Sequence, residues 1–513
     1  MPPFLRAVTV ARPAPWPAAV ALAAALAGLH PGRAAAQASP YLPLDDPRLP
    51  LLEHLIERGD LDDPSPMVRP FRRADARRVL DQADTAGVAP LVATLRAGLE
   101  ETPGGQTWRM AGRAGGQAFS HIRRDVLHPL GTDGARPYAD FTGEAVFGPI
   151  ALVSRLAAEP RIVDDPEWPG RHDLTLAWRF PQAYLSAQFA YGSVFYGQME
   201  RNWGPVGLAG IGVSNYGYPQ VEAGLTLGTR TLQLEALARS LYDADSLGQR
   251  VHRYFFAHRL SARLSRRLQL GLWETTVLAG VDRAFDGRYR NPLTLLLLGN
   301  QYGLGPDGNV MLGLDAHWRV RGRATLQAQL GLDDLSYEKV TATQGYPNRW
   351  AFTVTAFGPL GRALSWRALY TQASSLAFRT SNPFENFTDA GVGLGRNFDD
   401  MDQASLTVGV PVLARWLVTP ELTLLRQGEG DLNDPFPATD LEAVATPSLF
   451  IGVVERTWRA AVDLRGGAGP LELRLNAGLH HVVNQAHVEG RTVNRFEGRL
   501  QATLGLGRQG VLR

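Results

Sequence analysis

The chain has 513 residues, 54 of them glycine and none cysteine, and it carries 52 basic and 50 acidic residues. The lack of cysteine excludes a disulfide scaffold, a lipoprotein anchor and thiol chemistry. The balance of charge excludes the basic excess that nucleic-acid-binding proteins normally carry, so we expect no nucleic-acid partner.

Residues 1–38 have the pattern of a secretory signal peptide. Arg6 and Arg12 form a basic start, residues 18–29 are an apolar run too short to span a bilayer, and residues 36–38 (Ala-Gln-Ala) form a small-residue cleavage site. We therefore expect an exported protein, resident in the periplasm or the outer membrane.

Residues 39–107 are predicted to form a small periplasmic helical segment. Apolar residues recur there at helical spacing, in stretches that contain Leu49, Leu52, Leu55, Ile56, Phe71, Val79, Leu80, Leu91, Leu95 and Leu99. A proline-rich stretch at 62–70 separates the first helical pattern from the second. The helical period stops after Gly104-Gly105.

Residues 108–513 consist of short segments in which apolar and polar residues alternate. In 323–332, leucine and alanine alternate with threonine, glutamine and glycine, and the same period recurs in many later segments. A strand between lipid and a wet lumen has this pattern. No later stretch is apolar over the 18 or more residues that a transmembrane helix needs.

Turn signals predict the number of strands. Short connections are predicted at 147–149, 180–182, 228–230, 263–267, 320–323, 358–362, 411–416 and 465–470. Longer connections are predicted near 125–137, 161–171, 200–218, 241–251, 280–309, 334–348, 374–400, 427–447 and 482–491. Seventeen connections imply an all-β transmembrane barrel of about 18 antiparallel strands, which is typical of the bacterial outer membrane and would contact its lipids.

Residues 198–219, in the third long connection, combine turn-forming residues with the side chains that a sugar site needs. Aromatic rings stack on sugar C–H groups, and polar side chains bond to hydroxyls and carboxylates. The candidate ligand-binding residues are Arg201, Asn202, Trp203, Asn215, Tyr216 and Tyr218. The alternative is that Trp203-Gly204-Pro205 and Pro219 only shape a loop that folds into the lumen.

This stretch resembles the signature of the Wzi capsule-assembly family. The Trp-Gly-Pro turn at 203–205 precedes an apolar strand and then Ser214-Asn215 and Pro219, although Val206 stands where the family often has glycine. Similar segments follow in the family's order at His258-Arg259, Asn291-Pro292, 307–315 and 332–334, and residues 49–63 resemble the family's start.

The resemblance implies a barrel of eighteen strands, closed by its loops and helices, that binds capsular polysaccharide at the outer surface and helps to hold it on the cell. We therefore expect a monomeric outer-membrane protein whose partner is capsular or exopolysaccharide. A porin or solute channel, with its loops folded inward as a constriction, is the alternative.

Catalytic and metal sites are not indicated. His480, His481 and His487 form the densest histidine group, but alternation along a strand sends the first two to opposite faces. No Gly-x-Ser-x-Gly elbow is present. We expect no enzymatic activity, no metal and no cofactor.

Overall fold

The computed structural model describes residues 37–83, 88–99, 106–121, 127, 133–285, 289, 291–295, 308–320, 323–334 and 347–512. Residues 1–36 of the predicted signal peptide lie outside these ranges. The described helices are α1 (Leu49–Glu57), α2 (Arg73–Asp81), α3 (Ala89–Gly98) and α4 (Asp440–Ala445). None of the helices in these ranges has the length and apolar character that crossing a bilayer requires.

The remainder of the chain is dominated by long strands. They are β1 (Thr107–Phe119), β2 (Gly134–Phe147), β3 (Ile150–Ala158), β4 (Trp178–Phe189), β5 (Gly192–Gln198), β6 (Val221–Gly228), β7 (Leu232–Ser240), β8 (Gln249–Arg263), β9 (Leu268–Val281), β10 (Asn309–Arg319), β11 (Thr325–Asp334), β12 (Arg349–Leu360), β13 (Leu364–Ala373), β14 (Met401–Val412), β15 (Trp416–Gln427), β16 (Glu455–Ala468), β17 (Leu471–Val483) and β18 (Thr492–Val511). Each pairs antiparallel with the strands before and after it.

The eighteen strands close into a barrel because β18 pairs with β1, from Thr107 opposite Val511 to Phe119 opposite Arg499. The predicted fold class and strand number are confirmed. Short and long connections alternate as predicted, so that one end of the barrel carries the short turns and the other carries the long loops. We call these the short-turn end and the long-loop end.

One predicted turn is wrong. Residues 180–182 lie inside β4, and the connection to β5 is the two-residue turn at 190–191. The register between β3 and β4 shifts at this point, because Arg155 pairs with Gln182 whereas Ala157 pairs with Arg179. Pro181 therefore occupies a bulge, where a residue without an N–H group can be accommodated inside a sheet.

The two faces of the wall differ in polarity, as the alternation predicts. On strands β15, β17 and β18, Leu422, Leu479 and Phe496 point outward and are 62, 65 and 61% exposed, whereas Thr423 and His480 point inward and are 3 and 2% exposed. An outward apolar belt around a polar interior is the pattern of a barrel that faces lipid.

The helical segment packs against the short-turn end. Its predicted apolar residues are all buried in one cluster, which also includes Leu417 of the barrel. The His54 ring lies 2.9 Å from the Ser365 hydroxyl, and Arg58 donates hydrogen bonds to the carbonyl oxygens of Leu364 and Arg362 at 2.8 and 2.9 Å. These contacts hold α1 on the turn between β12 and β13.

The chain before α1 extends into the lumen. The Asp45 carboxylate accepts two hydrogen bonds of 2.7 Å from Arg155 of β3. Arg73, at the start of α2, forms a bidentate ion pair of 2.8 to 3.0 Å with Glu144 of β2. Such buried ion pairs fix the orientation of the segment, because any orientation that separated the partners would leave a buried charge uncompensated.

Candidate functional site at the long-loop end

The connection at 199–220 folds into the barrel rather than over its rim. Trp203, Ile211 and Val213 are 3, 1 and 1% exposed. They belong to the main hydrophobic cluster together with Phe255 and Trp273 of the wall. This half of the connection fills the lumen beside β8 and β9.

Two inward-facing glutamines of β11 hold the connection in place. Gln327 accepts a hydrogen bond of 2.9 Å from the Val206 N–H, and Gln329 accepts one of 3.0 Å from the Ile211 N–H. Gln329 also donates to the Trp203 carbonyl oxygen at 2.8 Å. A buried backbone segment needs such partners, since each unpaired amide would cost free energy.

Asn202 and Trp203 shape the connection from within. The Asn202 side chain accepts a hydrogen bond of 2.6 Å from the Gly210 N–H and donates one of 3.0 Å to the Leu208 carbonyl. Both residues pair with Val68–Arg69 in a two-residue antiparallel ladder. Both residues lie inside the barrel and form hydrogen bonds with other residues of the chain. This agrees with the alternative that Trp203-Gly204-Pro205 shapes a loop folding into the lumen.

Arg201 is also engaged by the protein. Its guanidinium forms an ion pair with one oxygen of Glu222, and Arg239 donates to the other oxygen at 2.8 Å. The Arg201 guanidinium lies 4.4 Å from the centre of the Phe195 ring. Two arginines therefore share one buried carboxylate.

The outer half of the connection returns towards solvent. Asn215 is exposed, and the Tyr216 ring packs edge-on against Phe398 at 5.6 Å. The Tyr218 hydroxyl donates to Asp165 at 2.5 Å, and its ring lies edge-on to Trp168 at 4.8 Å. Trp168 and Tyr218 thus form an aromatic pair beside the exposed Asn215.

A shallow cleft opens among the long loops here. It is lined by residues of the connections 159–177, 199–220 and 374–400, and by Arg239 and Tyr242. Of the six predicted ligand-binding residues, Arg201, Asn215 and Tyr218 line this loop-end cleft, whereas Asn202, Trp203 and Tyr216 do not. The ligand-binding role of all six stays a prediction.

The cleft also contains acidic residues that the sequence analysis missed, namely Glu167, Glu200 and Asp389. Asp389 is 9% exposed; one of its oxygens accepts a hydrogen bond of 2.8 Å from the Tyr242 N–H, and the other has no partner among the described residues. Burial raises the pKa of Asp389, and burial together with the Asp45 carboxylate raises the pKa of Glu200. Only the tertiary structure brings Asp389, about 170 residues along the chain, beside Asn215, so no local pattern indicated it.

The charge of the cleft follows from these pairings. Arg201 and Arg239 are both committed to Glu222, while Glu200 and Asp389 add carboxylates at the lining. An acidic lining repels carboxylates and accepts hydrogen bonds from hydroxyl and amino groups. The arrangement therefore favours groups that donate hydrogen bonds over carboxylates.

Histidines and carboxylates do not converge on a metal site in the described part of the chain, where no group of three such residues has suitable geometry. His480 points inward and is 2% exposed, whereas His481 is on the outer face. Their opposite directions match the prediction from strand alternation.

No protein-family model matches the chain, and no curated protein matches its sequence. Among solved structures it is similar to Wzi of Escherichia coli, described as an outer membrane protein involved in group 1 capsule assembly and a carbohydrate-binding β-barrel. The TM-score is 0.63 at 13% identity, over 92% of this chain and 99% of that one. Pseudomonas aeruginosa OprD (TM-score 0.43, 11% identity, 79% of this chain and 95% of that one) and Acinetobacter baumannii OccAB1 (0.43, 10%, 79% and 96%) also match. The chain has the fold of an outer-membrane β-barrel.

Proposed function

We propose that this protein is a bacterial outer-membrane barrel, a distant member of the Wzi family, that binds capsular or other surface polysaccharide and aids its assembly or retention on the cell. The observation that carries the proposal is the loop-end cleft. There Tyr218, whose ring is held edge-on by Trp168, lines the cleft with Asn215, Glu200 and Asp389, and this mixture of an aromatic ring and hydrogen-bonding groups suits saccharides.

Three further observations support the proposal. The filled lumen beside β8 and β9 and the helices at the short-turn end suit a binding protein better than an open pore. The likeness to Wzi, whose description names a carbohydrate-binding barrel, agrees with a glycan ligand. The apolar outer belt supports residence in the outer membrane, in contact with its lipids.

We propose that the protein acts without catalysis. The described residues do contain a serine beside a histidine and a carboxylate: Ser365 lies 2.9 Å from His54 and donates to Glu57 at 3.0 Å. However, Ser365 is fully buried beneath α1, and the second nitrogen of His54 bonds to the Ala363 carbonyl rather than to a carboxylate. The arrangement lacks both substrate access and the orienting acid of a hydrolase.

The test combines Asp389→Asn with Asn215→Ala and measures cell-bound polysaccharide per folded barrel. We expect retention, and the affinity of the purified barrel for surface polysaccharide extracted from the same bacterium, to fall about tenfold, because an acceptor oxygen of Asp389 becomes a donor NH2 group and the amide of Asn215 is lost. Asp440→Asn, an exposed acid of α4, is the matched control and should change neither quantity. Normal retention by the double variant at normal barrel levels would contradict the proposal.

The second candidate is a solute channel. It is favoured by inward-facing charged side chains of β16 and β17 that are not fully covered, such as Arg465 and Arg474 at 35 and 27% exposure. Conductance in planar bilayers separates the candidates. A steady current through the intact protein would favour the channel, and a conductance close to zero would favour the binding protein.

A further inference from the structure

The inner wall of β16, β17 and β18 carries a group of arginines at adjacent positions. Arg465 pairs directly opposite Arg474. Arg499 lies opposite Asn476 and is therefore diagonal to Arg474 across the β17–β18 pair. Like charges placed opposite each other destabilise a sheet unless something compensates them.

The protein compensates these arginines unequally. Arg465 has its own partner in Asp463, at 2.8 Å. Arg474 has a contact of 3.6 Å with Asp45, whose two oxygens already accept hydrogen bonds from Arg155. Over the described ranges, Arg499 makes no hydrogen bond and no ion pair. Charged groups that act on it include Arg465, Arg474 and Arg161 as well as Asp463.

These groups face space that solvent can enter. The side chains of Arg465 and Arg474 are 35 and 27% exposed although they point into the barrel, and Asp45, which contacts Arg474, is 26% exposed. A cationic surface inside low-dielectric walls concentrates anions. A guanidinium offers a planar fork of donors that matches a carboxylate.

We propose that Arg499 and Arg474 form an anion-binding site inside the lumen, for the carboxylate of a small solute. A monoanion fits because Asp45 and Asp463 border the site and would repel a second negative charge. The site is separate from the loop-end cleft and does not depend on the function proposed above. Its preference for acid groups is opposite to that of the acidic cleft.

The experiment measures binding of glucuronate to the purified, detergent-folded barrel at low salt by titration calorimetry. Arg499→Gln should weaken the affinity about tenfold or more, and Arg474→Gln should weaken it in the same direction. Since Arg499 has no hydrogen-bond or ion-pair partner among the described residues, its replacement removes none of the bonds seen there, and the variant should fold. Arg508→Gln, on the outer face of the same strand, is the matched control and should bind as the parent does.

Three results would overturn the proposal: unchanged affinity in Arg499→Gln, an equal loss in Arg508→Gln, or equal binding of glucose, which has similar size and no charge. Inorganic phosphate should bind more weakly than glucuronate. Asp389→Asn should leave glucuronate binding unchanged, so failure of the cleft proposal and failure of this one are distinguishable.

Discussion

At the scale of single residues, close backbone packing restricts which residue can occupy position 210 of the inserted connection. A Cβ atom on Gly210 would lie 2.0 Å from the Trp203 carbonyl oxygen and 2.4 Å from that of Val213. Both neighbours are backbone atoms and cannot move aside as a flexible side chain could. The turn that brings Trp203 against Val213 therefore requires glycine at this position.

Gly210→Ala should destabilise the folded barrel by about 1 to 3 kcal/mol through overpacking. The measurement is the thermal midpoint of the heat-modifiable folded form on semi-native gels. Gly143→Ala in β2 is the control, because a Cβ there would meet nothing within 4 Å. Equal midpoints for the two variants would show that the connection can relax around the added methyl group.

At the scale of elements, α1 depends on a buried neutral histidine. Burial lowers the pKa of His54 to about 4, and the nearby Arg58 charge acts in the same direction. The unfolded chain takes up this proton near pH 6.5. The contribution of neutral His54 to the free energy of unfolding is therefore complete above pH 6.5. It is lost as the pH falls towards 4, by roughly 3 kcal/mol in total.

We expect the amides of α1 to exchange hydrogen faster at pH 5 than at pH 7, after correction for intrinsic rates, because the unfolded state gains the His54 proton first. His54→Gln should remove most of this dependence. Glu57 has the opposite effect on the pH dependence of stability. Burial raises its pKa, so the folded state takes up this proton before the unfolded state does as the pH falls. The difference between parent and variant isolates the histidine, and an identical pH dependence in both would refute its role.

At the scale of the whole molecule, alternation of short and long connections sets the orientation. All long connections share one end, and the helical segment packs against the other. Outer-membrane barrels place short turns in the periplasm and long loops outside. The loop-end cleft would then face the medium, where a surface polysaccharide lies.

Because the chain has no cysteine, single introduced cysteines report this orientation cleanly. Leu441→Cys, in the exposed helix α4 of a long connection, should react with a membrane-impermeant maleimide on intact cells. Arg266→Cys, in the short turn between β8 and β9, should react only after lysis. The reverse labelling pattern would show the opposite orientation of the barrel, with the loop-end cleft in the periplasm.

The sequence by itself determined the barrel, its strand number, the faces of its strands and the apolar faces of its helices. These features depend on local periodicity and turn chemistry, which act over a few residues. The error at 180–182 has the same origin, because a proline in a bulge and a proline in a turn have the same local signal. Only the partner strand distinguishes them.

The tertiary structure alone decided which of the predicted site residues stay exposed. The sequence predicts a ligand-binding role for both Trp203 and Asn215. In the structure, Gln329 and the Val68–Arg69 ladder hold Trp203 inside the lumen, whereas Asn215 remains exposed. Asp389 joins Asn215 because separate connections fold over the same end of the barrel. Such contacts link residues more than a hundred positions apart, and their free energy depends on closure of the whole barrel, which no local pattern encodes.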